Sequence, residues 1–249
     1  MEKLSIIDTE QKVNLENNKS DTLAIGMKSI LGIVPFGSLV SEIVTNVIPN
    51  QRTERVVLFV EVLNEKFKYL EKEVVEQKVK TQEFTDLLQD GFIQASRALT
   101  DERLEYIASL LKNSLTDEEL KHIEKKKLLS LLGELNDVEI IWLKRYSFDN
   151  VVGNMERQEF IEKHEGVLNP INLMEGEESH NEDQLNKKAF QENYLTNLSR
   201  LRLIRGTRVF GEVRTNLPLD EIEPDRYECS NLGKLLLSYI DLGEAEETE

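Results

Sequence analysis

Residues 184–215 read QLNKKAFQENYLTNLSRLRLIRGTRVFGEVRT. Leu185, Ala189, Phe190, Leu195, Leu198 and Leu201 fall mainly on one face of a helix, which predicts helix over residues 184–204 with Arg205-Gly206 ending it. From Thr207 to Thr215 the β-branched and aromatic residues take over and predict a strand. Residues 216–225 form a Pro-containing turn region, residues 226–229 are expected to pair back as a second strand, and Ser230 or Asn231 caps a last helix over residues 232–240. Helix, connection, long leucine-faced helix, β-ribbon and closing helix is the order of a winged helix. A two-stranded ribbon is too small to be stable alone and must pack beside the long helix, whose leucines need partner helices. A small winged-helix-like α+β domain is therefore expected over residues 135–243.

Working towards the N-terminus, residues 166–183 carry Pro170, Gly176 and a run of Glu and Asp, and read as a solvated loop. Asn136 with Glu139 forms a capping signature ahead of a helix containing Val138, Ile141, Trp142 and Tyr146. Thr116 with Glu119 has the same form and predicts a helix running to about Leu132. Before it, Phe84, Leu87, Leu88 and Phe92, then Leu104, Ile107, Ala108 and Leu111, mark two amphipathic helices separated at Ala98-Leu99-Thr100. Val56, Val60, Leu63, Phe67, Leu70 and Val74 recur at steps of four and three, a heptad seam that favours long-helix pairing within the chain or between subunits of a homo-oligomer. The reading is mainly α: a helical bundle over residues 23–134 preceded by a flexible segment, 1–22, and an acidic disordered tail after the second domain, 244–249.

The most apolar stretch is residues 23–48, LAIGMKSILGIVPFGSLVSEIVTNVI. Lys28 and Glu42 bound a shorter uncharged run about 20 Å long as helix, below what a simple span needs. Pro35 and Gly37 break it into a helical hairpin with Phe36 at the corner. Ile30, Leu31, Ile33, Val34, Phe36, Leu39 and Val40 are its candidate membrane-contacting residues. Either they enter lipid or they form bundle core.

Charge sharpens the C-terminal reading. The chain carries 47 acidic against 31 basic residues, a net charge of −16, which repels nucleic acid unless cations are concentrated somewhere. They are concentrated at Lys187, Lys188, Arg200, Arg202, Arg205, Arg208 and Arg214, opposed over that segment by Glu192 and Glu212. Guanidinium groups match phosphate oxygens bidentately, so these residues are candidate contacts to a nucleotide or nucleic-acid ligand. The alternative is that they pair with the chain's own carboxylates. One cysteine, Cys229, excludes an intramolecular disulfide and a cysteine-based zinc site. His122, His164 and His180 read as isolated surface residues without metal-ligand spacing, and no phosphate-binding glycine loop or nucleophile elbow is present. No catalytic residue, metal ligand or cofactor is expected, and residues 1–20 lack the apolar core of a signal peptide.

Three strings, Ile33-Val34-Pro35-Phe36-Gly37-Ser38, Ile48-Pro49-Asn50-Gln51-Arg52 and residues 231–240 (NLGKLLLSYI), resemble a loosely defined group of bacterial proteins often found beside anti-phage defence or mobile-element genes. The resemblance implies a context and carries no catalytic residues. It implies a non-enzymatic effector, cytoplasmic or peripheral to the inner membrane, in which the apolar hairpin responds to a nucleotide or nucleic-acid signal. A soluble winged-helix regulator and a protein-interaction scaffold are the other readings of the same residues.

Overall fold

The computed structural model describes residues 53–148, 155–168, 182–207 and 226–243. The expected N-terminal segment, the hairpin over 23–48 with its candidate membrane residues, most of the acidic loop, Arg208, Arg214 and the tail lie outside them. The chain divides into two compact units at Ser130–Leu131. Among the described residues the structure is mainly helical, with one two-stranded antiparallel sheet near the C-terminus.

In the first unit α1 (Thr53–Phe67), α3 (Gln82–Arg97) and α4 (Asp101–Thr116) pack against one another, and the short α2 (Lys72–Lys78) joins the first two. Val56, Phe59, Val60, Leu63 and Phe67 of α1 are buried. This is a broad apolar face suited to a globular core rather than the narrow a/d seam expected, because Phe59 belongs to it as fully as Val60. The expected seam also stops early: α1 ends at Phe67, Leu70 lies in a turn closed by Leu70 N–H donating to the Phe67 carbonyl (3.0 Å), and Val74 sits on the next helix. Phe59 meets Phe92 of α3 edge to face, with ring centroids 5.0 Å apart, the arrangement the aromatic quadrupole favours. At Gly91 a Cβ would lie 2.9 Å from Leu111 Cδ1, so α3 and α4 meet with almost no clearance. Thr100 caps α4 by accepting from Arg103 N–H (3.2 Å), which explains the break after Ala98.

The Thr116–Glu119 capping pair does not form. Helix α4 continues through Thr116, and Asp117 takes over the turn by accepting from Glu119 N–H (2.6 Å) and Leu120 N–H (3.0 Å). Helix α5 (His122–Glu134) starts later, with Glu124 accepting from Lys121 N–H (2.7 Å).

The second unit is organised around α6 (Asp137–Ser147). The helices α7 (Met155–Lys163), α8 (Glu165–Leu168), α9 (Glu182–Arg200) and α10 (Asn231–Tyr239) contact it or its neighbours, and so does β2 (Arg226–Cys229) of the ribbon. The capping box at its start forms as expected. Asn136 Oδ1 accepts from Glu139 N–H (2.9 Å) and Glu139 Oε2 accepts from Asn136 N–H (2.8 Å). Its buried residues are Glu139, Ile140, Trp142, Leu143, Lys144 and Ser147, so of the apolar residues named from the sequence Trp142 is buried and Val138, Ile141 and Tyr146 are half-buried. A helix with neighbours on several sides has no single apolar stripe. Lys144 is buried with its ammonium 4.3 Å over the Phe148 ring and 3.4 Å from Glu156 of α7, so both its stem and its charge are accommodated.

The strand β1 (Ile204–Thr207) pairs with β2 in the register Ile204↔Cys229 to Thr207↔Arg226. The expected long helix thus ends at Arg200, and Ile204 begins a strand.

Candidate ligand surface of the C-terminal unit

The junction between α9 and β1 is built by a Schellman motif. Leu203 N–H donates to the Leu198 carbonyl (3.0 Å) and Arg202 N–H to the Ser199 carbonyl (3.0 Å), the paired bonds that close a helix C-terminus. Buried Leu198 and Leu203 supply the hydrophobic contact that accompanies such a cap. The motif requires a left-handed backbone at Arg202, where φ is 62°. Glycine is the usual occupant, because a Cβ is strained there. The arginine is exposed, whereas the two leucines that flank it are buried.

Ser230 locks this corner to the closing helix. Its Oγ donates to the Arg202 carbonyl (2.7 Å) and accepts from Gly233 N–H (3.0 Å), and its N–H donates to the Leu203 carbonyl (2.9 Å). Gly233 is required on steric grounds: a Cβ would lie 2.3 Å from the Leu203 carbonyl oxygen and 2.7 Å from Cys229 Sγ. Of the two expected caps for the last helix, Ser230 is therefore the one used.

The expected basic residues fall into two groups. Arg200, Arg202 and Arg205 surround the corner, whereas Lys187 and Lys188 lie about 20 Å up α9 from Arg200, at 1.5 Å of rise per residue. Lys188 faces Glu192 at 3.7 Å, a solvated helical pair. Arg205 pairs with Glu228 directly across the ribbon at 3.6 Å. Arg200 is a scaffold residue: its Nη2 donates to Asn197 Oδ1 (2.8 Å) and Glu134 Oε2 (3.3 Å), and Asn197 Nδ2 donates to Glu139 Oε1 (2.8 Å). The buried Glu139 carboxylate thus caps α6 through one oxygen and holds α9 through the other. Arg202 makes no ion pair among the described residues.

Beside the ribbon lies a group that the sequence reading missed. Tyr146 stacks on Trp142 (centroids 5.9 Å apart) and meets Tyr227 of β2 (5.8 Å). Burial pushes the Tyr146 phenol up to about 12. Its neighbour Arg145 is held below the ordinary guanidinium value, first by burial and then by the like charge of Arg157. Only contacts between distant segments reveal this group; the i,i+4 spacing of Trp142 and Tyr146 was its one local signal.

No family model, curated protein or solved structure matches the chain. Among the described residues, no three His, Cys, Asp or Glu side chains converge as a metal site, and no helix is long and apolar enough to cross a membrane. His122 and His164, expected as isolated surface groups, are half-buried and engaged. His122 Nε2 lies 3.0 Å from Asp86 Oδ2, and His164 Nδ1 lies 2.9 Å from the Phe160 carbonyl. What the corner offers is positive charge: one guanidinium without an ion pair among the described residues, a second in an exposed pair, and aromatic rings beside the second strand.

Proposed function

We propose that the chain is a non-enzymatic binding protein of bacterial anti-phage defence. In this reading the C-terminal unit is a winged-helix-like module that recognises a nucleotide or nucleic-acid ligand. The apolar residues 23–48 act at the inner membrane, and the chain works as a homo-oligomer. The observation that carries the reading is Arg202. A left-handed position normally given to glycine holds an exposed arginine without an ion-pair partner among the described residues, at the corner where the long helix meets the ribbon. Strain of this kind at a charged, exposed site points to binding. Arg205 supports it, because a single exposed pair is worth no more than about 1 kcal/mol and a phosphate can displace Glu228 from it. The order of helix, long helix, ribbon and closing helix supports the module, and the resemblance of residues 33–38, 48–52 and 231–240 supports the context.

The test is binding of a labelled oligonucleotide and of mononucleotides by the full chain at low and moderate salt. Arg202→Ala with Arg205→Ala is expected to weaken binding at least tenfold and to flatten its salt dependence. Absence of binding by the parent protein at low salt sinks the ligand reading. Separately, deletion of residues 23–48 is expected to release the protein from the membrane fraction, and a parent protein found wholly outside that fraction sinks the membrane reading.

A second reading, a protein-interaction scaffold, is favoured by one observation. The N-terminal half of α9 exposes Leu185 (49%) and Phe190 (62%), the latter stacked on Tyr194. A monodisperse protein that neither lipid nor nucleic acid shifts would select this reading.

A further inference from the structure

The first unit contains a cavity of about 440 Å³ where the end of α2, the start of α3, the last turn of α4 and the start of α5 come together. That volume lies in the range of small-molecule sites. Its floor is apolar and buried: Phe84, Leu87 and Leu115 are each at most 6% exposed. Ser114 lines it too. Ser114 is 4% exposed, and its Oγ is shut from solvent and has no hydrogen-bond partner. A helical hydroxyl ordinarily bonds a carbonyl of the preceding turn or reaches water, so an orphaned one carries a penalty that alanine would not.

The polar groups around the opening are unequally occupied. Asp117 is committed to two backbone N–H groups, and Glu118 to Lys78 at 2.9 Å. Lys125 donates to the Ser114 carbonyl (2.9 Å) and the Asp117 carbonyl (2.6 Å), so one of the ammonium's N–H donors remains. Lys121 is exposed with no ion pair among the described residues, and Glu83 is the carboxylate on the rim in the same condition. Burial holds the Lys125 ammonium below its ordinary value although Asp117, Glu83 and Glu118 already act against that fall, and an acid group bonded to its remaining donor would add to their offset.

We propose that this cavity binds a small amphipathic anion, its aromatic or aliphatic body on Phe84, Leu87 and Leu115 and its acid group between Lys121 and Lys125. The Ser114 hydroxyl then gains the acceptor it lacks. The shared chemistry is an apolar body of drug-like size bearing one anionic group, whether carboxylate or phosphate. The site is independent of the C-terminal corner, and Arg202→Ala with Arg205→Ala leaves it intact.

The experiment is a fluorescence titration of the full chain with 1-anilinonaphthalene-8-sulfonate, followed by competition with octanoate and with adenosine monophosphate. Saturable one-to-one binding is expected, weakened about tenfold by Lys121→Glu and several-fold by Ser114→Ala. The Ser114→Ala protein is expected to melt at a higher temperature than the parent when unliganded, which separates lost binding from lost folding. Competition by octanoate assigns a carboxylate, and competition by the nucleotide assigns a phosphate; competition by neither overturns the ligand class. Binding that does not saturate, or that neither substitution changes, overturns the site.

Discussion

At Arg202 two backbone effects of opposite sign compete. An L-residue in the left-handed region is raised by roughly 1–2 kcal/mol, whereas glycine costs about 0.5–1 kcal/mol of extra chain entropy on folding. The first is larger, so Arg202→Gly is expected to stabilise the protein by about 0.5–1 kcal/mol in urea unfolding while it weakens ligand binding. Stability and binding moving in opposite directions is the signature of a residue placed for recognition. Tyr146 makes a pH prediction. Its phenol is raised from an ordinary 10.0 to about 12 by burial, so the folded state holds the proton longer than the unfolded chain does. The associated stability is complete below pH 10.0 and is lost as pH rises towards about 12. A spectrophotometric titration at alkaline pH is expected to contain a late tyrosine step, and Tyr146→Phe is expected to remove it.

Helix boundaries were legible where the determinant is local. Asn136 and Glu139 bond each other's backbone within one turn, and their spacing alone announced α6. Asn136→Ala is expected to cost about 1 kcal/mol, read as a lower urea midpoint with an unchanged slope. The similar Thr116–Glu119 pair failed because the Asp117 carboxylate, one residue on, competes for the Glu119 N–H. The heptad reading failed at Leu70 because no glycine or proline marks the turn after Phe67. The six apolar residues of the expected helix share a face in projection, but Leu198 and, just past the end of α9, Leu201 are buried while Leu185 and Phe190 are exposed. A helix of 19 residues is about 28 Å long, and the 11-residue α6 covers only its C-terminal end. Within the candidate site, the basic residues could be named from charge alone. Which arginine is structural could not, because the role of Arg200 depends on Asn197 and Glu139, far apart in sequence, coming within 2.8 Å.

At the scale of the chain, each unit has its own buried apolar set, and the single tryptophan, Trp142, belongs to the second. Phe59→Ala removes the ring that meets Phe92 in the first unit and is expected to cost about 3–5 kcal/mol there. Far-ultraviolet circular dichroism, which sees every helix, should then show an early loss of signal, while Trp142 fluorescence changes at its original midpoint. The acidic total and the basic corner also belong to this scale. A net charge of −16 repels polyanions at long range, so binding at the corner should have a low on-rate that rises as salt screens the repulsion, before salt weakens the contacts themselves.

The glycine under the closing helix has one more consequence. Because Gly233 brings α10 down onto Cys229, the only thiol in the protein is buried beneath α10. An alkylating reagent can reach that sulfur only when α10 lifts from the ribbon, so the labelling rate reports the frequency of that opening. The native protein thus contains its own clock for local unfolding at the corner, and a ligand seated on Arg202 should slow it.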